Sequence, residues 1–310
     1  MSDVFSRFAP FIQDYIYRCK WEELREIQVL AAKAIFDTDE NLLLSSGTAS
    51  GKTEAAFLPV LTRLWENPSA SVGVLYLSPL KALINDQFER LEGLLEEAAI
   101  PVTKWHGDAS AAAKKRVMKR PQGIIQTTPE SLESMLMHNS SGAYRLFSDL
   151  RFIIIDEMHY FMDNDRGLQL LCLLERLARL IGYHPRRIGL SATLGDCTSA
   201  VQWLNTDSGR NCIVPKCHEK GRSLRLSVRF FPIKEKIPNS DSKVLLQNYY
   251  DYLFESTWNK RCILFSNSKG EVEENIAHLR RIAAERRLRI TTLFITRIFP
   301  RLCGSSPSRR

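Results

Sequence analysis

Apolar residues recur at intervals of three and four at Phe5, Phe8, Ile12 and Ile16, and again at Leu24, Ile27, Leu30, Ala31, Ala34 and Ile35, which predicts two helices within residues 1–40. From Leu42 the rhythm changes. Short apolar runs at Leu42-Leu43-Leu44 and at 72–77, 102–105, 123–127, 152–155 and 187–190 read as strands, while 80–98, 109–119, 129–138 and 168–181 carry helical spacing. Strands apolar at successive positions and separated by helices predict an α/β unit: a parallel sheet covered on both faces, with ligand loops at the carboxyl ends of its strands.

The first such end is Ser46-Gly47-Thr48-Ala49-Ser50-Gly51-Lys52-Thr53, followed by the helical run Glu54-Ala55-Ala56-Phe57-Leu58. Gly47 and Gly51 permit a tight turn whose N–H groups, with those of the helix start, point inward at a triphosphate. Lys52 is spaced to reach the β- and γ-phosphates, and the Thr53 hydroxyl suits a phosphate-bound Mg²⁺. The cofactors expected from this loop are ATP and Mg²⁺.

A second strand, Ile153-Ile154-Ile155, ends in Asp156-Glu157-Met158-His159. Adjacent carboxylates at the end of a buried strand are costly without a compensating cation, which Mg²⁺ supplies. Asp156 is expected to hold the metal through its water shell, Glu157 to orient and deprotonate an attacking water, and His159 to reach the same pocket. Ser191 and Thr193, in Gly189-Leu190-Ser191-Ala192-Thr193, offer hydroxyls that relay a change of nucleotide state. Three further ends carry Ser78, Pro79 and Lys81; Trp105, His106, Gly107 and Asp108; and Thr127, Thr128 and Pro129. Hydroxyls and helix-N-terminal N–H groups can fix a nucleic-acid backbone without reading its sequence, although Ser and Thr before a helix are also favoured caps. Gln28 lies about twenty residues before the phosphate loop, and its amide complements the donor and acceptor of an adenine edge.

Length and charge refine this picture. With 310 residues and 44% hydrophobic content the chain can bury two cores. No apolar run is long enough to span a membrane, and charged residues interrupt the first twenty positions, so neither a signal peptide nor a spanning helix is expected and the location is read as cytoplasmic. Seven scattered cysteines suit a reducing compartment; Cys212, Cys217 and His218 cluster without a nearby fourth ligand, and they read as thiols in preference to a zinc site. The net charge is +8, but seven arginines and no acidic residue follow Glu285, which leaves the remainder at +1. Nucleic-acid binding must therefore be argued from motifs and not from bulk charge.

Taken in order, Gln28, the loop 47–53, 78–83, 127–132, 156–159 and 191–193 resemble the first half of a superfamily 2 helicase motor of the DExH form, closest to its large helicase-related and Ski-like branch. The resemblance implies a RecA-like domain over 41–204, preceded by helices in 1–40 that carry the adenine-reading Gln28. It also implies an aromatic stacked on the adenine, for which Phe8, Phe11 and Tyr15 are candidates and Phe11 the preferred one. Lys52, Asp156, Glu157 and His159 are then catalytic, and a single strand of DNA or RNA is tracked by Ser78, Pro79, Lys81, Gly107, Thr127, Thr128 and Pro129. Residues 205–222 read as a linker and 223–290 as the start of an incomplete second RecA-like domain. Its strands are expected at 224–231 and 262–268, the second ending in polar groups that include the motif residue Ser266, and its helices at 243–258 and 270–287. The basic tail 291–310 lacks the family's later motifs, and about 65 residues after Leu245 are too few for a closed domain. The chain is thus expected to be a truncated or frameshifted helicase with weak or no turnover, because an arginine finger typically contributes about 10³ to 10⁵ in rate. A partner could supply the missing motifs. The alternative is a nucleotide-dependent clamp that does not unwind; a P-loop kinase or GTPase is disfavoured by the absence of an Asn-Lys-x-Asp pattern.

Overall fold

The computed structural model describes residues 4–47, 50–80, 92–107, 109–192, 194–217, 226–231, 241–260 and 262–288. The chain forms two compact units, Met1–Gly221 and Arg222–Arg310. The first is built on seven parallel strands: β1 (Asn41–Ser45), β2 (Val72–Leu77), β3 (Val102–Trp105), β4 (Gly123–Thr127), β5 (Phe152–Ile155), β6 (Arg186–Ser191) and β7 (Cys212–Ile213). Their order across the sheet is β3-β4-β2-β5-β6-β1-β7. Leu43 lies opposite Gly189, Ile153 opposite both Leu75 and Arg187, and Leu75 opposite Ile125.

Strand alternation sends Leu42, Leu44, Val74, Ile124, Ile154 and Ile188 to one face, against the helices Pro10–Arg18, Glu26–Asp37 and Lys52–Glu66. Leu43, Leu75, Leu77, Ile125, Ile153 and Ile155 take the other, against Pro129–His138, Ser140–Phe147, Asp165–Ile181 and Thr198–Asn205. Burial on both faces is why these strands appear in the sequence as continuous apolar runs. β6 carries two buried arginines side by side. Arg186 donates to the carbonyls of Ala34, Ile35 and Thr38 at the end of Glu26–Asp37, and Arg187 to those of Leu204 and Thr206 after Thr198–Asn205. Each guanidinium supplies donors to carbonyls at a helix end, where the intrahelical ladder runs out, although Ala34 O also accepts from the Thr38 amide and hydroxyl.

The expected linker at 205–222 needs correction. Its first part belongs to the sheet unit: β7 pairs with β1, and buried Ser208 accepts from Asn41 Nδ2 at 2.9 Å. Residues 218–225 lie outside the described residues, as does the tail from 289.

In the second unit the helices Asp241–Thr257 and Lys269–Glu285 pack through Tyr250, Phe254, Leu279, Ile282 and Ala283. The strands expected at 224–231 and 262–268 are not formed among the described residues of this unit. A strand exists only where a neighbour completes its hydrogen-bond ladder, and neither segment has one there. Leu226, Val228, Phe230, Ile263 and Phe265 are instead largely exposed. Ser266 is tied to the second helix, its hydroxyl accepting from Asn275 Nδ2 at 3.0 Å.

Candidate functional site

Six strand ends in a row carry the motif residues. Across the sheet β1, β6 and β5 are neighbours and bear the phosphate loop, Ser191 and the acidic pair; beyond them β2 and β4 bear the hydroxyl-rich segments and β3 leads to Gly107.

At the end of β1 the chain turns into the helix Lys52–Glu66 through Gly51, whose φ of 85° is left-handed and strained for any side chain. A Cβ there would lie 3.0 Å from Gln28 Nε2 and 3.4 Å from the Arg25 guanidinium, so these two side chains pack directly on the loop. Gln28 is buried, and its Oε1 accepts from the Arg25 amide at 2.9 Å, so the amide end is fixed beside the loop. Lys52 Nζ donates to the carbonyls of Ser46 and Gly47 at 2.5 and 2.9 Å, and the hydroxyls of Ser46 and Ser50 are 2.6 Å apart. Thr53 is the second residue of the helix; Thr48 and Ala49 lie outside the described residues. Phe8 is buried edge-on against Phe36, which removes it as a free stacking surface, whereas Phe11 and Tyr15 are half-buried against the first core.

At the end of β5, Asp156 is buried and its Oδ2 accepts from the Tyr76 hydroxyl of β2 at 2.5 Å. Burial, then the Asp156 charge, drives the Tyr76 phenol well above its usual pKa, so it remains a donor. Glu157 has a left-handed φ of 46°, turning the chain sharply after the strand. Burial raises its carboxyl above the usual range, with Lys52 pulling the other way, and burial likewise depresses the Lys52 ammonium against the opposing charges of Glu157 and Asp156. His159 Nδ1 is 3.4 Å from Ser191 Oγ, from the Ala192 amide and from Glu157 Oε2. Burial depresses the imidazole pKa, which favours the neutral ring, and the Ala192 N–H can only donate to Nδ1. Ser45 Oγ fastens this strand end to β1, donating to Ala192 O at 3.2 Å and accepting from Leu194 N at 3.1 Å. Thr193 lies outside the described residues.

These groups fit a magnesium nucleotide. Among the described residues no three His, Cys, Asp or Glu side chains gather as a metal cage. What the site offers instead is one buried carboxylate and a helix-start hydroxyl, the few hard oxygens Mg²⁺ takes from a protein while phosphate and water complete its shell.

On the other half of the edge, Thr127 Oγ1 donates to Trp105 O at 2.7 Å, and Ser78 N donates to Thr127 O at 3.1 Å. Thr128 caps the helix Pro129–His138, its hydroxyl accepting from Ser131 N at 3.4 Å, with Pro129 at the first turn. Ser78 Oγ donates to Leu80 O at 3.3 Å, and Gly107 is exposed at the end of β3. Lys81 and Asp108 lie outside the described residues. Tyr76, Ser45, Arg25 and a further residue, Arg166, escape sequence reasoning. Only Tyr76 leaves a trace there, as a phenol inside an aliphatic strand that must find a partner.

A seven-stranded parallel sheet with a phosphate loop at the end of β1 and an acidic pair two strands away defines a RecA-like P-loop domain. Residues 25–200 match the DEAD/DEAH box helicase family, and the chain belongs to it. The ATP-dependent helicase Lhr-Core of Methanocaldococcus jannaschii is 31% identical over 289 residues, covering 87% of this chain and 33% of that protein. The structure of Mycobacterium smegmatis helicase Lhr bound to ssDNA and AMP-PNP superposes with a TM-score of 0.71 at 28% identity, covering 92% of this chain and 37% of that one. The DUF1998 helicase MrfA bound to DNA and AMPPNP shares the fold at a TM-score of 0.72 and 24% identity, covering 92% and 39%. The chain spans about a third of the length of the curated relatives it matches. No helix among the described residues is long and apolar enough to cross a membrane.

Proposed function

We propose that this chain carries the nucleotide-binding half of an ATP-dependent nucleic-acid helicase. In this reading it binds ATP with Mg²⁺ at the ends of β1, β6 and β5 and follows a single strand across the ends of β2, β4 and β3. The observation that supports it is the sheet order, which groups the phosphate loop, Ser191 and the acidic pair on three adjacent strands and the two hydroxyl-rich segments, with Gly107 beside them, on the next three. The Lhr structure with ssDNA and AMP-PNP makes the same two ligand classes the first to test.

Lys52 exchanges its loop carbonyls for phosphate oxygens, which the N–H groups at the start of Lys52–Glu66 also meet. Asp156, steadied by Tyr76, and Thr53 would hold the metal, whose charge when bound offsets that of the phosphates. Glu157 takes a proton from the attacking water, a role its raised pKa suits. His159 sits between Glu157 and the Ser191–Ala192 end of β6, where a change in the acidic pair is felt by the neighbouring strand.

The test is steady-state ATP turnover with and without single-stranded DNA and RNA, beside Lys52→Ala and Glu157→Gln. Nucleotide binding with at most weak strand-stimulated turnover, that turnover lost in both variants, is the expected result. Nucleotide binding without turnover would favour the clamp, and absence of nucleotide binding would sink both.

A further inference from the structure

Arg166, the second residue of the helix Asp165–Ile181, reaches three separate segments. Its Nη2 donates to Pro79 O at 2.7 Å and its Nε to Glu130 Oε1 at 2.6 Å, while the guanidinium lies 5.5 Å from the centre of the Phe161 ring. Pro79 follows β2, Glu130 follows Thr128, and Phe161 lies in the turn after the acidic pair. From the acidic pair to Arg166 the chain is closely fixed. Asn164 caps the helix by accepting from Gly167 N at 3.0 Å and donates back to the carbonyls of Tyr160 and Met162, both at 2.9 Å. Gly167 is needed there, because a Cβ would fall 1.6 Å from Phe161 O. One turn along, Gln169 Nε2 donates to Glu133 Oε2 at 2.5 Å, a second tie between the same two helices.

We infer that Arg166 is a positioning residue: it holds the segments 78–80 and 128–130 at a fixed separation, so that their hydroxyls and N–H groups match successive phosphates of a bound single strand. This rests on the strand-tracking reading above. Arginine suits the task because its planar fork can meet a carbonyl and a carboxylate in two directions while stacking on a ring, which a lysine ammonium cannot. A role limited to stability is a poor account of the pair. Arg166 and Glu130 side chains are 34% and 52% exposed, and ion pairs at such exposure contribute little to folding. Both acceptors moreover belong to segments that end on the candidate nucleic-acid edge.

The test uses the full chain with AMP-PNP. Binding of a fluorescein-labelled oligothymidylate is followed by anisotropy over a salt series for the parent, Arg166→Met, Thr128→Ala and the double variant. A fluorescent ATP analogue reports nucleotide affinity, and amide hydrogen exchange of the nucleic-acid-free protein reports the segments directly. Arg166→Met should weaken the strand about tenfold with an unchanged salt slope and nucleotide affinity held within about twofold. Adding Thr128→Ala to it should cost little more, since that hydroxyl is already displaced. Exchange should quicken around Ser78 and Ser131 and stay unaltered in the central strands. A salt slope lowered by about 0.7 would make Arg166 a direct phosphate ligand and overturn the inference. So would unchanged strand affinity, unchanged exchange at both segments, or strand and nucleotide affinities falling together. A parent that binds no strand would defeat the strand-tracking reading itself, and with it the functional half of this inference; the exchange data separate that failure from an Arg166 that holds nothing.

Discussion

Glu157 and Tyr76 lie at the acidic pair, and their effects on stability have opposite signs. Burial lifts the Glu157 carboxyl above its ordinary range, so its ionised form opposes folding. That penalty is absent below the ordinary carboxylate pKa and complete above the folded-state pKa, because the unfolded chain loses its proton first as pH rises. Glu157→Gln should therefore melt higher than the parent at pH 8 and equal to it at pH 4, as scanning calorimetry at both values would show. The buried imidazole of His159 behaves in the reverse sense, its contribution falling as pH drops through the ordinary histidine range, but it is present in both proteins and largely cancels in the comparison. The same substitution should reduce ATP turnover by about 10² to 10⁴, the usual contribution of a general base. Tyr76→Phe removes the donor to a buried carboxylate and should cost about 2 kcal/mol in urea unfolding. An unchanged midpoint would mean that Asp156 is held by other groups alone.

Between elements, β6 joins the site to its surroundings through Arg186 and Arg187, which point to opposite faces and cap one helix on each. Burial brings the Arg186 pKa down to about 10, still well above neutrality, so the guanidinium stays charged among the carbonyls it serves. Arg186→Met would remove the guanidinium donors to the Ile35 and Thr38 carbonyls at the end of Glu26–Asp37, Ala34 O keeping those of Thr38, at a cost of about 3 kcal/mol. Because that helix begins with Arg25 and Gln28 against Gly51, nucleotide affinity should fall too. Arg187→Met should cost similar stability and leave nucleotide affinity unaltered, since its helix lies on the other face; denaturant curves and nucleotide titrations of both variants test this contrast. The hydrophobic pattern alone locates β2 to β5 to the residue: β2 and β5 are buried at every position, whereas β3, at the sheet edge, keeps only Val102 and Trp105 as apolar ends around Thr103 and an exposed Lys104. It stops one residue short at each end of β6, where a buried arginine and a buried serine look like turn residues until their partners are known. It misses β7 altogether: two residues are too few to show a period, and only pairing with Asn41 and Leu42 makes them a strand. The site divides in the same way. Gly51, Lys52, Asp156 and Glu157 are legible from local spacing, whereas Tyr76, Ser45 and Arg166 act on residues 80, 147 and 87 positions away, which no local pattern encodes.

Across the whole molecule the two units differ most in how they treat apolar surface. The first buries its strands on both faces; the second, judged by its described residues, encloses a small core between two helices and leaves Leu226, Val228, Phe230, Ile263 and Phe265 exposed at 78% or more. The alternation at 226, 228 and 230, with Arg229 over the Tyr252 ring at 4.7 Å, has the period of a strand but, among the described residues, no ladder that would make it one. Unpaired backbone with apolar side chains is a template for another chain, and a charge on such a segment is the usual protection against it. The protein should therefore self-associate as its concentration rises, and the association should pass through these segments and not through the sheet unit. Val228→Lys with Phe265→Lys should shift sedimentation toward monomer at equal concentration. Nucleotide binding should be unaffected, since Gln28, the phosphate loop and the acidic pair all lie in the first unit. Association that persists in the double variant would place the contact elsewhere, and loss of nucleotide binding would show that the second unit supports the site.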